Sequence, residues 1–151
     1  MNTVASIGVA LKEADTQEYR DYAQQVIANA KAMADEFLTL WYQLVTWGTD
    51  NHMVILDLSD RDMNWAQAEW ILDQLGISTS KSTIPDDPNP PFRPSGLRIG
   101  MPAMTTRGFD EETTREVVRI MDEAMRDGSK ETIALLRKRV IEIARAHPLP
   151  E

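Results

Sequence analysis

Apolar residues recur every three or four positions in several stretches of the chain, which is the spacing of one buried face of a helix. The clearest stretch runs from Tyr19 to Trp41. It predicts an amphipathic helix of about seven turns at 3.6 residues per turn. The same spacing predicts four shorter helices, which cover residues 2–14, residues 65–75, the stretch between Asp110 and Gly128, and the stretch between Ser129 and His147.

Residues with short oxygen-bearing side chains precede three of these helices, where such an oxygen accepts hydrogen bonds from the first free backbone amides. Asp15 and Thr16 both qualify for the long helix, Asp110 for a later one and Ser129 for the last. Gly76 stands where the preceding helix needs a C-cap, because glycine adopts a left-handed backbone without steric cost. These residues set the predicted helix ends.

Stretches rich in aromatic and β-branched residues predict the strands. Tyr42–Trp47 and His52–Leu58 form a predicted hairpin with residues 48–51 as its turn. The short connection favours antiparallel pairing of the two. A further strand is predicted at Gly96–Met101, and a short one around Ile77–Ser80.

The segment between the last two predicted strands is rich in proline: residues 84–95 hold five of the eight prolines. Proline supplies no amide hydrogen and fixes its own φ, so this segment is predicted to be an ordered, extended loop. The order helix, strand, strand, helix, strand, strand, helix, helix predicts an α+β fold. In such a fold helices cover a small, mostly antiparallel sheet.

Composition narrows the function classes. The chain has no cysteine, which excludes disulfides and thiolate chemistry, and its two histidines lack metal-ligand spacing, so we predict no metal site. A net charge of −8 repels phosphate backbones and anionic lipids, so we expect neither nucleic acid nor membrane as a partner. The apolar stretches are shorter than the ~20 residues of a membrane span, and no secretory signal is readable. These absences predict a cytoplasmic protein.

Candidate chemistry concentrates at Arg98. Strand alternation places Gly96, Arg98 and Gly100 on one face. The absence of side chains on either side leaves room for a planar anion to accept two hydrogen bonds, each contributing roughly 1.5–3 kcal/mol. The alternative is a solvent-facing arginine beside glycines that permit close backbone contact. The spacing alone favours that alternative.

Other polar groups have structural explanations. Residues 49–52 are typical of a turn. Glu111 and Glu112 fall in the first turn of a helix, where negative charge suits the helix dipole. The basic residues 137–139 fit the solvated face of the last helix. The glycine patterns of nucleotide-binding loops and the GxSxG pattern of hydrolases are absent from the sequence.

Four sequence blocks together resemble serine hydroxymethyltransferase. They are VALKEA at 9–14, YAQQVIANAKAMA at 22–34, GTDNH at 48–52 and SGLRIGMPAMTTRGF at 95–109. The resemblance covers nearly the whole chain but only the last third of the family's chain. It implies the C-terminal small domain of the aspartate aminotransferase-like (fold type I) pyridoxal phosphate enzymes over residues 15–151. Residues 1–14 would then be a remnant helix from the large-domain boundary.

The family uses pyridoxal phosphate to move a one-carbon unit between serine and tetrahydrofolate, giving glycine. The resemblance implies that Arg98 binds the substrate's α-carboxylate, with Arg107 of the TTRG block as a supporting residue. It also places Lys81 and Ser82 near the folate site. The family has NKN where this chain has Ser80-Lys81-Ser82, which puts folate binding in question. Trp47 replaces a glycine of the family's GGTDNH block.

The cofactor lysine of the family lies in a THK motif, and none of the five lysines of this chain has that setting. The resemblance therefore implies that this chain alone has no catalytic residues, binds neither pyridoxal phosphate nor tetrahydrofolate, and is inactive. Its partner would be a separately encoded large domain or a homologous enzyme. The alternative is a non-catalytic interaction or regulatory module that self-associates or binds an intact homologue. In both cases we expect exposed apolar surface on the first helix and near the proline-rich loop.

Overall fold

The computed structural model describes residues 2–150. Six α-helices are present in this part of the chain: α1 (Asn2–Ala14), α2 (Gln17–Thr39), α3 (Trp65–Leu75), α4 (Pro102–Thr106), α5 (Glu111–Arg126) and α6 (Lys130–Ala146). Four strands accompany them: β1 (Gln43–Leu44), β2 (Met53–Asp57), β3 (Ser80–Ser82) and β4 (Gly96–Gly100). The predicted α+β class is confirmed.

The four strands form one antiparallel sheet in the order β1-β2-β4-β3. The predicted antiparallel pairing of the first two strands is confirmed, since Leu44 of β1 lies opposite Leu56 of β2. The connection covers residues 45–52, however, and not only the predicted 48–51. At the centre of the sheet, Arg98 of β4 lies between Ile55 of β2 and Ser80 of β3. This register decides which side chains surround the candidate arginine.

One face of the sheet, here called the inner face, packs against helices α2 and α3, and α5 packs in turn against these two helices. Leu56 and Leu97 are fully buried there, together with Phe37 of α2 and Leu72 of α3. Burying each of these side chains stabilises the fold by roughly 1.5–3 kcal/mol. The opposite, outer face has no such cover: Ile55 is only half-buried, and Arg98 is exposed.

The predicted caps are confirmed, with Thr16 rather than Asp15 in the first case. Thr16 Oγ1 accepts the Tyr19 amide at 3.2 Å, and Asp110 Oδ1 accepts the Thr113 amide at 2.8 Å. The Ser129 hydroxyl likewise caps α6, and Gly76 ends α3 with a left-handed φ of 84°. Local chemistry thus fixes where these helices begin and end.

The first predicted strand is longer than the observed one. β1 holds only Gln43–Leu44, because the chain then coils into a 3-10 turn over Val45–Trp47. Thr46 and Trp47 adopt φ values of 66° and 56° there, which no strand can accommodate. Trp41 has a φ of 64°, so α2 ends at Thr39, before the predicted end of the long helix.

Two further differences surround β4. The short strand predicted around Ile77–Ser80 lies instead at Ser80–Ser82. The helix α4 was not predicted, although Pro102 at its first position is a known helix-start signal. Both elements are short, and periodicity over three to five residues carries little information.

Helix α1 stands apart from the core, because none of its residues is buried. Val4, Ile7 and Leu11 are 73%, 55% and 65% exposed. The expected apolar surface on the first helix is therefore present, and Phe92 in the proline-rich loop is exposed as well. The division into a remnant helix and a small domain stays a prediction. In the part of the chain described, no helix is long and apolar enough to cross a bilayer.

Candidate functional site

Arg98 occupies the middle of the outer face. Its strand neighbours Leu97 and Ile99 are buried on the inner face, so the predicted alternation along β4 is confirmed. The Arg98 side chain lines an open cleft of about 430 Å³, whose other walls are His52, Met53, Ser78, Thr79, Ser80 and Gly100. The cleft brings together residues from β2, β3, β4 and the turns beside them.

Most of the Arg98 guanidinium is unengaged. Its Nε donates to the Ser80 hydroxyl at 3.2 Å. Within residues 2–150 this is the one side-chain hydrogen bond that Arg98 makes, and no carboxylate forms an ion pair with it. The two terminal nitrogens, which form the flat end of the guanidinium, are therefore free to donate to a ligand.

The two glycines beside Arg98 have different roles. A Cβ on Gly96 would lie 2.6 Å from the carbonyl oxygen of Ser82, so glycine is required there for close strand contact. A Cβ on Gly100 would lie no closer than 3.7 Å to any neighbour, the carbonyl oxygen of His52. The room beside Arg98 is thus at the Gly100 end. At Gly96 the glycine instead permits close backbone contact, which was the alternative interpretation of these glycines.

Arg107 lies outside this cleft and uses its donors within the protein. Its Nε donates to the His147 carbonyl and its Nη2 to the Ala144 carbonyl, both at 2.7 Å. These carbonyls belong to the last turn of α6, where a positive charge also suits the helix dipole. The structure does not bring the two predicted arginines into one site, and the substrate role of Arg107 stays a prediction.

A buried asparagine holds the segment that carries Arg107. Asn29 of α2 is fully buried, and its Nδ2 donates to Thr105 Oγ1 at 2.9 Å and to the Phe109 carbonyl at 2.8 Å. Gln25 in turn donates to Asn29 Oδ1. Sequence reasoning missed this residue. The sign that could have identified Asn29 is that it is a polar residue within the apolar stripe of the long helix.

The side chains of Ser82 and Lys81, both predicted to lie near the folate site, point to opposite sides of β3. Ser82 is on the same side of β3 as Ser80, and its hydroxyl donates to the Thr83 carbonyl. Lys81 points the other way, with its Nζ 5.2 Å from the centre of the Trp65 ring. Of the two, Ser82 therefore shares the outer face with Arg98.

The proline-rich loop is ordered around a second missed residue, Asp87. Its carboxylate accepts hydrogen bonds from the amides of Ile84, Asn89 and Ser95 and from the Ser95 hydroxyl, at 2.8–3.3 Å. The Ser95 amide contributes most to stabilising the charged form, and together these bonds lower the pKa of Asp87 to about 2. Since Ser95 precedes Gly96 directly, this carboxylate fixes the entry into β4.

The other polar candidates have structural roles. Thr49 Oγ1 donates to the Met53 carbonyl at 2.6 Å, and Asn51 Oδ1 accepts the Met53 amide at 3.0 Å, which are turn contacts. Glu111 and Glu112 lie in the first turn of α5. In the described part of the chain, no three histidine, aspartate or glutamate side chains converge as metal ligands.

Comparison with known proteins points to one family. A family model described as serine hydroxymethyltransferase matches residues 1–121. The serine hydroxymethyltransferase of Alkalilimnicola ehrlichii is 42% identical over 150 residues, which covers 99% of this chain and 36% of that protein. The enzyme of Levilactobacillus brevis is 41% identical over 152 residues, covering 99% of this chain and 37% of that protein.

A eukaryotic relative shows the same partial match. The mitochondrial serine hydroxymethyltransferase of Candida glabrata is 46% identical over 125 residues, covering 83% of this chain and 26% of that protein. The chain thus spans about a third of the length of the curated relatives that match nearly all of it. The α+β fold, the family model and these relatives agree, and the chain belongs to the serine hydroxymethyltransferase family.

Proposed function

We propose that this chain is the C-terminal part of a serine hydroxymethyltransferase and that Arg98 binds the α-carboxylate of glycine or serine. The observation that carries the proposal is the free end of the Arg98 guanidinium in an open cleft. A carboxylate accepts two parallel hydrogen bonds from such an end, and each charged bond contributes roughly 1.5–3 kcal/mol.

The surroundings of Arg98 support an incomplete binding site. Thr79 Oγ1, in the wall of the same cleft, is buried and has no hydrogen-bond partner among residues 2–150. An unpaired buried hydroxyl is destabilising, so such groups call for a reason in the structure or function. A ligand or a second chain segment that closes the cleft could pair with this hydroxyl only if the cleft wall shifts to expose it.

Pyridoxal phosphate, which the family uses, does not fit the residues of this chain alone. None of the described residues that line the Arg98 cleft is a lysine, and Lys81 is held against Trp65. We therefore infer that these residues work together with a large domain that carries the cofactor lysine, and that they are inactive without it. In that assembly Ser82, which shares the outer face with Arg98, would lie near the folate, and Arg107 would support the site by holding the end of α6.

The test is reconstitution. The chain is mixed with the portion of the Alkalilimnicola ehrlichii enzyme that it does not match, and conversion of serine to glycine is measured with pyridoxal phosphate and tetrahydrofolate present. We expect activity from the mixture and none from either part. Arg98→Ala should reduce kcat/KM by about 100-fold or more, because the carboxylate loses its charged hydrogen bonds.

Arg93→Ala is the matched control, since it removes an exposed arginine of the proline-rich loop that does not line the Arg98 cleft. It should leave the reconstituted activity unchanged. Activity of these residues alone would contradict the proposed need for a large domain. Full activity of the Arg98→Ala mixture would contradict the carboxylate role.

The exposed apolar face of α1 favours a second function, a non-catalytic module that binds another chain. Val4, Ile7 and Leu11 form a continuous stripe at helical spacing, and such stripes favour association. In this case the chain would self-associate or change the activity of an intact enzyme. Sedimentation of the chain alone, and its addition to the intact Alkalilimnicola ehrlichii enzyme, separate the two functions. Leu11→Lys should abolish either effect.

A further inference from the structure

Ser80 is the residue that holds Arg98 in place. The pairing of β3 with β4 puts Ser80 directly opposite Arg98, with both side chains on the outer face. The Ser80 hydroxyl accepts the hydrogen bond from Arg98 Nε at 3.2 Å. A guanidinium is planar and rigid, so a bond to Nε fixes its plane and leaves the end with the two terminal nitrogens directed away from Ser80.

The position of Ser80 is itself set by close packing one pair further along the ladder. Ser82 pairs with Gly96, where the carbonyl oxygen of Ser82 would lie 2.6 Å from any added Cβ. This close approach holds β3 against β4. The spacing of the two strands, and with it the reach of the Ser80 hydroxyl to Arg98, therefore depends on a backbone contact that admits glycine alone.

We propose that Ser80 is a positioning residue for carboxylate binding: it orients Arg98 before the ligand arrives. The inference rests on the proposed carboxylate role of Arg98. A long, flexible arginine loses rotamer freedom when it binds, and a side chain that is already held loses less. Removal of the Ser80 hydroxyl should therefore weaken carboxylate binding without altering the fold.

The experiment is an NMR titration of the full chain, labelled with ¹⁵N, with glycine and separately with acetate. The Arg98 Nε–H signal is assigned by its loss in Arg98→Lys. In Ser80→Ala we expect this signal to move toward the position of solvent-exposed arginines before any ligand is added. Glycine and acetate should then bind about fivefold more weakly than to the unmodified chain, because Arg98 now loses its rotamer freedom on binding, at a cost of about 1 kcal/mol.

Two further variants separate positioning from general damage. Ser80→Thr keeps an oxygen at this position and should restore the affinity to within about twofold, since threonine also suits a strand. Thr83→Ala removes an exposed hydroxyl just beyond β3 and should behave as the unmodified chain. The backbone amide spectra show whether each variant keeps the fold.

The failures of the two proposals are distinct. Unchanged affinity in Ser80→Ala, with binding abolished in Arg98→Lys, would overturn the positioning role and leave the carboxylate role of Arg98 intact. An Arg98 signal that responds to neither glycine nor acetate in the unmodified chain, together with full activity of the Arg98→Ala mixture, would contradict the carboxylate role, and the inference about Ser80 would fall with it.

Discussion

Arg98 and Arg107 lie on either side of the short helix α4, and their guanidinium groups are used differently. Arg107 donates to two carbonyls at the end of α6, whereas Arg98 donates from one nitrogen to one hydroxyl and has its flat end free. The segments around them also differ. A neutral amide, Asn29, holds the Arg107 segment, and a carboxylate, Asp87, holds the segment that leads to Arg98. Residue type alone would not distinguish the two arginines; their contacts do.

The largest expected effect concerns Arg107 and stability. Arg107→Ala should lower the free energy of unfolding by about 2–3 kcal/mol, because two carbonyls at the end of α6 lose charged hydrogen bonds. Arg98→Ala should change it by less than about 0.5 kcal/mol, since its side chain is exposed. Urea denaturation of both variants measures the difference. Equal losses of unfolding free energy in the two variants would contradict the proposed difference between the two arginines.

The glycines beside Arg98 give the next largest effect. Gly96→Ala should destabilise the chain by about 2 kcal/mol, because the new methyl group meets the Ser82 carbonyl oxygen and forces β3 away. Gly100→Ala adds the same methyl group where the neighbours leave space, so its stability should change by less than about 1 kcal/mol. It should nevertheless weaken glycine binding at Arg98 by narrowing the cleft. Thermal unfolding and the NMR titration test the two halves of this prediction.

The smallest effect is local and depends on pH. The pKa of Asp87 falls from its ordinary 3.8 to about 2 in the folded chain, so its hydrogen bonds stabilise the loop fully above the ordinary value. This stabilisation is lost as the pH falls from about 4 through 2. The amide signal of Ser95 should therefore shift in that range, whereas the Asn29 side-chain amide, with its neutral partners, should not.

Two variants serve as controls for the acid transition. Asp87→Asn should remove the shift of the Ser95 signal. Asp86→Asn should keep it, because Asp86 is exposed, and its left-handed φ of 52° suits asparagine. A Ser95 shift that persists in Asp87→Asn would assign the transition to another group.

The helices and the exposure of Arg98 could be predicted because their signals are local. Periodicity located five of the six described helices, and single oxygen-bearing residues marked three of their starts, at Thr16, Asp110 and Ser129. The alternation of Leu97, Arg98 and Ile99 gave the two faces of β4. Each of these predictions needs only residues that are neighbours in sequence.

The features that could not be predicted depend on residues far apart in sequence or oppose the local preference of a residue. The Ser80–Arg98 contact follows from the register of β3 against β4, which no local pattern encodes. Asn29 is explained by partners in α4 and the turn after it. Trp47 adopts a left-handed backbone that aromatic residues disfavour, so its own preference pointed to a strand. The glycine that the family has at this position was the available sign of a left-handed backbone.

The exposure of helix α1 affects how it would bind a partner. A helix of 13 residues with no buried side chain has little more stability than a free peptide of that length, which is marginally helical in water. We therefore expect the segment to interconvert between helix and coil in the isolated chain, and covering its apolar stripe would shift that equilibrium. Folding of α1 would then be coupled to binding of a partner, and the ordering entropy lost at the moment of contact would lower the affinity per unit of buried area. Hydrogen exchange along α1 would report occupancy by a partner directly.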